Sequence, residues 1–153
     1  VEQQTDLHSQ SDLAHRAFLA VQRLAQHQLT QTANLLKAQG LSPAQYNVLR
    51  ILRGASEALT CGEIAGRLIA HDPDVTRLLD RLEQQGWVSR SRERPDRRVV
   101  TSRLTASGRE LLVALDQPLG ELHRAQFAHL DAGQLGQLLT LLGPGASDDD
   151  SRT

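Results

Sequence analysis

Aromatic side chains are scarce in this chain, with two Phe, one Tyr and one Trp in 153 residues. That argues against a surface that stacks the bases of single-stranded nucleic acid, because such surfaces are built from exposed rings. Cysteine is scarcer still. Cys61 stands alone, so no intramolecular disulfide can form, and a reducing, cytoplasmic setting is the expectation. No apolar run approaches the ~20 residues needed to cross a bilayer, and the polar opening stretch from Val1 to Gln10 does not read as a signal sequence. Membrane insertion and export are therefore not expected.

The pieces of catalytic chemistry are missing as well. There is no glycine-rich phosphate loop, no nucleophile paired with a base and a third partner, and no cluster of carboxylates in an apolar setting, so neither an enzyme nor a cofactor is expected. Six histidines are present, namely His8, His15, His27, His71, His123 and His129. None forms the i, i+4 pair that places two imidazoles on one helix face, so no metal site is expected.

What the chain does have is arginine in one place. Lysine occurs once, at Lys37, which leaves sixteen arginines among the seventeen basic residues. Nine of them fall between Arg77 and Arg109 against four acids, Asp80, Glu83, Glu93 and Asp96, giving that window +5 in a chain of formal charge −1. A single basic element on an otherwise balanced protein suits a polyanion met by one face of the molecule. At this length the chain forms one domain able to bury roughly 70% of its unfolded surface.

Apolar residues at Leu13, Ala17, Val21, Leu24, Ala25 and Leu29 fall at steps of three and four and predict a long first helix from Ser11 to about Gln39, stopped by Gly40. Ser42 followed by Pro43 signals a second helix, through Tyr46, Leu49, Ile51 and Leu52 to about Gly54. Thr60 with Glu63 three residues later is a capping box for a third. Asp72-Pro73 opens a fourth, carrying Val75, Leu78, Leu79 and Leu82 and ending at Gly86. Two short helices joined this closely read as helix-turn-helix. Trp87 to Ser91 and Val99 to Leu104 read as strands around the Pro95-Asp96 turn, which completes a winged helix. Thr105 caps a fifth helix with Leu111, Leu112, Leu115, Leu119 and Leu122, tolerating Pro118 as a kink. Asp131 caps a sixth with Leu135, Leu138, Leu139 and Leu142.

The expected fold is thus mainly α with a small β-hairpin wing. A winged helix-turn-helix lobe (41–104) joins a helical dimerisation region (11–40 and 105–142), flanked by a flexible N-terminus (1–10) and a disordered acidic tail (143–153). The long first helix and the two leucine-rich C-terminal helices offer more apolar face than one small lobe covers, which predicts a homodimer.

Four quoted stretches carry a resemblance to a known family. They are L-S-P-A-Q-Y-N-V-L from Leu41, E-I-A-G-R-L from Glu63, V-T-R-L-L-D-R-L-E-Q-Q-G-W-V from Val75, and D-R-R-V-V-T-S-R-L-T-A-S-G from Asp96. Together they resemble the MarR family of bacterial transcription regulators, over roughly residues 11 to 142. The resemblance implies a homodimer interlocked through the first, fifth and sixth helices, with two winged-helix lobes on palindromic double-stranded DNA. Two features depart from the family pattern: the turn before the recognition helix, Leu68-Ile69-Ala70-His71, holds no glycine, and Asp72 and Asp74 place carboxylates at the start of that helix.

With the apolar side of the fourth helix turned inward, Asp74, Thr76, Arg77, Asp80 and Arg81 project outward. Asp74, Thr76, Arg77 and Arg81 are the candidate groove contacts, an arginine on guanine being the commonest specific one. The competing reading pairs Arg77 and Arg81 with Asp74 and Asp80 on a solvated helix. In the wing, Arg92, Arg94, Arg97 and Arg98 surround Asp96, and their planar, weakly hydrated guanidiniums suit a narrow minor groove or its phosphates. Asp96 is expected to hold a neighbouring arginine in place. His15, Phe18, Tyr46 and His123 are candidates for a small-molecule pocket between dimer helices and lobe, where the resemblance places phenolic effectors; the expected effector is aromatic or anionic. Ordinary packing explains each of these four equally well. Cys61, one residue after the cap Thr60, raises peroxide sensing, but the resemblance puts redox cysteines near the first helix, so a structural role is expected. The overall expectation is a DNA-binding transcription regulator released by an effector. The alternatives are a winged-helix protein-interaction module, or a redox or metal sensor on the same fold.

Overall fold

The computed structural model describes residues 2–69, 74–92 and 98–143, with side chains from residue 11 onward. The first helix, α1, runs Glu2–Lys37, roughly 54 Å at 1.5 Å per residue. The stretch 2–10, expected to be flexible, is helical backbone. Its Glu, Gln and Leu residues are good helix formers, and no glycine or proline interrupts them. Gly40 ends the run with φ 73°: its N–H donates to the Lys37 carbonyl at 3.0 Å and the Leu41 N–H to the Leu36 carbonyl at 3.1 Å. This left-handed exit turns Leu41 back into the core beside Leu36.

Helix α2 (Pro43–Gly54) starts as its sequence signals say, with Ser42 as N-cap and a reciprocal bond between the Ser42 N–H and Gln45 Oε1 at 2.9 Å. The same logic places α3 (Cys61–Ala65) behind Thr60 and Glu63. Helix α4 spans Val75–Gln84, and its cap is Asp74, whose carboxylate accepts from the Arg77 N–H at 3.3 Å. The cap and first helical residue expected at Asp72 and Pro73 lie outside the described residues; α4 as described opens at Val75. Gly86, at φ 77°, closes α4.

Three strands, not two, make the sheet. Leu59–Thr60 forms β1, Val88–Ser91 β2 and Thr101–Leu104 β3, in the antiparallel order β1-β3-β2. A two-residue strand shows no periodicity, so nothing in the pattern announces β1. Helix α5 runs Ala106–Gln126 with Thr105 as cap and Pro118 inside it, and α6 runs Ala132–Leu142 behind Asp131. The tail from residue 144 lies outside the described residues.

One core joins α2, α3, α4 and the sheet to α5. Val48, Leu49, Leu52, Ile64, Leu79, Leu82, Val88, Leu112, Leu115 and Leu119 are all buried in it. Among the described side chains, α1 contributes only Leu36 to the buried set, and α6 contributes none. Leu29 is 60% exposed and Leu141 84%, with Leu13, Phe18, Val21 and Leu139 each more than half exposed. The apolar faces of α1 and α6 are uncovered in the single chain.

Candidate nucleic-acid interface

The apolar stripe of α4 (Val75, Leu78, Leu79 and Leu82) is buried, which turns the opposite side of the helix outward. Thr76, Arg77 and Arg81 are exposed there. Asp74 sits at the head of the same surface, where its carboxylate caps the helix and also meets Arg77 Nε at 3.2 Å. The Arg77 side chain is 75% exposed, so this pair is a solvated one, of little energetic weight. Arg81 makes no ion pair among the described residues. The pairing expected by the competing reading is therefore half present: Arg77 meets Asp74, whereas Asp80 turns elsewhere.

Asp80 turns to the wing. Together with Glu83, one helical turn further on, it holds Arg90 of β2. Arg90 Nε donates to Glu83 Oε2 at 2.8 Å, its Nη2 lies 2.7 Å from the same oxygen, and Nη2 also bonds Asp80 Oδ1. The hydrogen bond to Glu83 raises the Arg90 pKa above its ordinary value, against a smaller opposing effect of burial and with further support from Asp80. Counting arginines in the window does not separate Arg90 from its neighbours. The signal was nevertheless available, since β2 alternates and Arg90 shares a face with buried Val88.

A second joint lies behind α4. The Thr105 N–H donates to the Trp87 carbonyl at 3.1 Å and the Thr105 hydroxyl to the Gly86 carbonyl at 2.7 Å, while the Gly108 N–H returns to Thr105 Oγ1 at 3.0 Å. A side chain at Gly108 would collide with the Trp87 carbonyl oxygen and come within 2.8 Å of Leu104 Cδ1. The L-T-x-x-G stretch is thus a clasp between the end of α4 and the start of α5.

Of the wing candidates, Arg92 and Arg98 are exposed, on either side of the hairpin tip. Arg94, Asp96 and Arg97 lie outside the described residues. Cys61 is partly buried with Sγ 3.6 Å from Thr76 Oγ1. Among the described residues, no group of three or more His, Cys, Asp or Glu side chains could hold a metal ion.

The four pocket candidates are not brought together within one chain. His15 and Phe18 are exposed on α1. Tyr46 is half-buried on α2, with Arg50 Cζ 5.9 Å from its ring centroid. His123 Nδ1 lies 3.2 Å from Gln126 Oε1, and Gln126 Nε2 donates to the Gln28 carbonyl at 3.2 Å and Gln31 Oε1 at 3.0 Å. Thirteen residues of helix separate His15 from Gln28, roughly 20 Å along the axis. His15 and His123 therefore do not share a pocket within the single chain.

The geometry is that of a winged helix with an exposed, partly basic helix surface beside a basic hairpin. The MarR family model matches residues 41–100. The multiple antibiotic resistance protein MarR of Escherichia coli is 33% identical over 122 residues, which cover 76% of this chain and 84% of that protein. The chain belongs to the MarR family.

Two solved structures place this MarR-family chain further. A MarR transcription factor from Planctomyces limnophilus is 36% identical and covers 84% of this chain and 93% of its own, with a TM-score of 0.68. A mutant of E. coli MarR complexed with operator DNA is 29% identical, with coverages of 80% and 87% and a TM-score of 0.71. Matches to two other curated relatives, from Methylorubrum extorquens and Bacillus subtilis, span only 42% and 57% of those proteins. As a member of this family the chain carries the winged-helix lobe of its transcription regulators. Among the described residues, no helix is long and apolar enough to cross a membrane.

Proposed function

We propose that this regulator acts in the cytoplasm as a homodimeric repressor on a palindromic operator, with α4 entering the major groove and the wing lying over the adjacent minor groove. The observation that carries the reading is the shared exposed surface of Thr76, Arg77 and Arg81 on α4 beside Arg92 and Arg98 at the wing. Asp74 limits approach to phosphate at one end of that surface, while Arg77 and Arg81 supply the donors that guanine edges accept. The uncovered apolar faces of α1 and α6 support the dimer, because a second copy is what such self-complementary faces fit. The solved complex of the E. coli relative with operator DNA supports the partner, and the name of the B. subtilis relative, a transcriptional repressor, supports the sign of regulation.

Release by an aromatic or anionic small molecule completes the proposal. Half-sites one helical turn apart put the two recognition helices roughly 34–36 Å apart, so a ligand that prefers a dimer of different spacing draws the population off DNA by its differential affinity. His15, Phe18, Tyr46 and His123 are the proposed contacts, in a pocket completed across the dimer.

Gel shifts over a salt series, on duplexes selected from a random library, test the DNA reading. A steep fall of affinity with salt, from counterion release, is expected. Selection of no duplex sequence, together with salt-insensitive capture of a protein, favours a protein-interaction module instead.

A further inference from the structure

We infer that Arg90 is a positioning residue for DNA binding: with Asp80 and Glu83 it fixes the base of the wing to the recognition helix, and so sets the spacing at which the two elements meet adjacent grooves. The inference rests on the proposed reading that α4 and the wing both touch DNA.

The register of the sheet shows why Arg90 can do this. Val88 pairs with Leu104 and Arg90 with Ser102, so Val88 and Arg90 share one face of β2. Val88, Leu104 and Ser102 are all buried, and this inner face is the one that packs against the helices. Arg90 therefore leaves the sheet on the side of α4, just inside the last paired residues of the hairpin, Ser91 and Thr101. Asp80 and Glu83 are three apart and occupy one face of α4. The Nε/Nη2 edge of the guanidinium engages both, with its side chain only 24% exposed.

Planarity matters here. A forked donor set held by two acceptors on a rigid helix restrains direction as well as distance, which a flexible ammonium does not. Arg90 lies one residue before Ser91, in the last described pair of the hairpin, so its bonds to α4 act at the base from which the wing departs.

The clamp also explains two acids on a DNA-reading helix. With Arg90 between them, Asp80 and Glu83 are drawn toward the wing, and one of their two negative charges is offset locally. They do not neutralise Arg77 or Arg81, which stay available on the outer side of α4. Removing Arg90 has two consequences that can be separated: the wing loses its tether, and two carboxylates lose their counter-charge near phosphate.

Three variants divide those effects. Arg90→Lys keeps the net charge but not the fork. Arg90→Gln loses both. The triple variant Asp80→Asn, Glu83→Gln, Arg90→Gln removes the fork while leaving no unpaired carboxylate. Each is assayed as the full chain by circular dichroism and thermal melting, then by gel shift and hydroxyl-radical footprinting on the tightest duplex selected by the wild type.

If Arg90 positions the wing, Arg90→Lys and the triple variant both keep the base preference of the selected half-site but lose protection of the flanking minor groove, and their salt slopes become shallower. Arg90→Gln is weaker again, from the exposed carboxylates. Full minor-groove protection by the folded triple variant or by Arg90→Lys overturns the inference and leaves only charge compensation. A wild-type footprint confined to the major groove overturns the two-element reading of the DNA interface, and the inference with it.

Discussion

Thr105, at the start of α5, donates its hydroxyl to the carbonyl oxygen of Gly86, at the end of α4, over 2.7 Å. The bond ties the recognition helix to the helix that leads out of the lobe. Around it, Gly108 passes so close to Trp87 that only hydrogen fits in place of a side chain, and Arg53 on α2 bonds both carboxylate oxygens of Asp116 on α5, at 2.9 and 3.0 Å. The first part of α5 is thus bonded both to the end of α4 and to α2.

Gly108→Ala tests the tightest part of this joint. The added methyl has a backbone carbonyl in its way, and backbone cannot rotate aside as a side chain can. Overpacking of this kind costs about 1–3 kcal/mol, and urea denaturation is expected to show a lowered midpoint with unchanged slope. Thr105→Val, which removes both the cap and the bond to Gly86, is expected to cost about 1–2 kcal/mol. Wild-type stability of Gly108→Ala would show that the strand-to-helix turn relaxes freely and is no joint.

The uncovered faces of α1 and α6 make a separate prediction. Leu29 and Leu141 are 60% and 84% exposed in the single chain, so Leu29→Glu and Leu141→Glu leave the lobe's own core untouched. If these faces are the subunit interface, burying upwards of ~2,000 Å² in the dimer, each charge is placed where it has no partner. Light scattering is expected to give a dimer for the wild type at micromolar concentration and a shift toward monomer in the double variant, with helicity of the lobe retained. A wild-type monomer with intact secondary structure would falsify the dimer.

Much of this fold is written in local signals. Ser42, Thr60, Thr105 and Asp131 cap the helices they announce, because a side-chain oxygen followed by a free N–H three residues on is a local chemical event that needs no tertiary partner. The apolar stripe of α4 is legible for the same reason. What escaped were relationships across the chain. Strand β1 exists only because Leu59 and Thr60 find β3 some forty residues later. Asp74, the cap of α4, is a good cap by type, but so is Asp72, and residue type alone does not choose between them. At the interface, the exposure of Thr76, Arg77 and Arg81 follows from the stripe alone. The diversion of Asp80 to Arg90 required a strand register, and the separation of His15 from His123 required knowing where α5 crosses α1.

Cys61 supplies a prediction about what does not trigger the regulator. Its Sγ lies 3.6 Å from the Thr76 hydroxyl, a contact that a serine hydroxyl can reproduce. Cys61→Ser is therefore expected to bind the selected duplex within a few-fold of wild type and to keep its response to phenolic acids. Peroxide treatment checks the opposite view: if it abolishes binding in the wild type alone, while a broad panel of phenolic compounds leaves binding unmoved, the protein is a redox sensor.

The division of labour between helix and wing is the sharpest test of the interface. Arg77→Ala is expected to cost about 1–3 kcal/mol and to relax preference at one position of each half-site, since a guanidinium on a base edge discriminates among bases. Arg97→Ala is expected to weaken binding to many sequences and flatten the salt slope, because its proposed contacts are phosphates and groove width. Asp74 provides the control between them. Asparagine caps a helix about as well as aspartate, so Asp74→Asn preserves the start of α4 while removing the carboxylate charge that meets Arg77. With one negative charge fewer beside phosphate, its affinity is expected to rise for all duplexes alike, without a change of preferred sequence. Binding titrations over a panel of single-base variants, at several salt concentrations, read all three together. Equal and small effects of Arg77→Ala and Arg97→Ala in a folded dimer refute the assignment of roles, and weaker binding by Asp74→Asn would instead make Asp74 a base contact, most simply to a cytosine amino group.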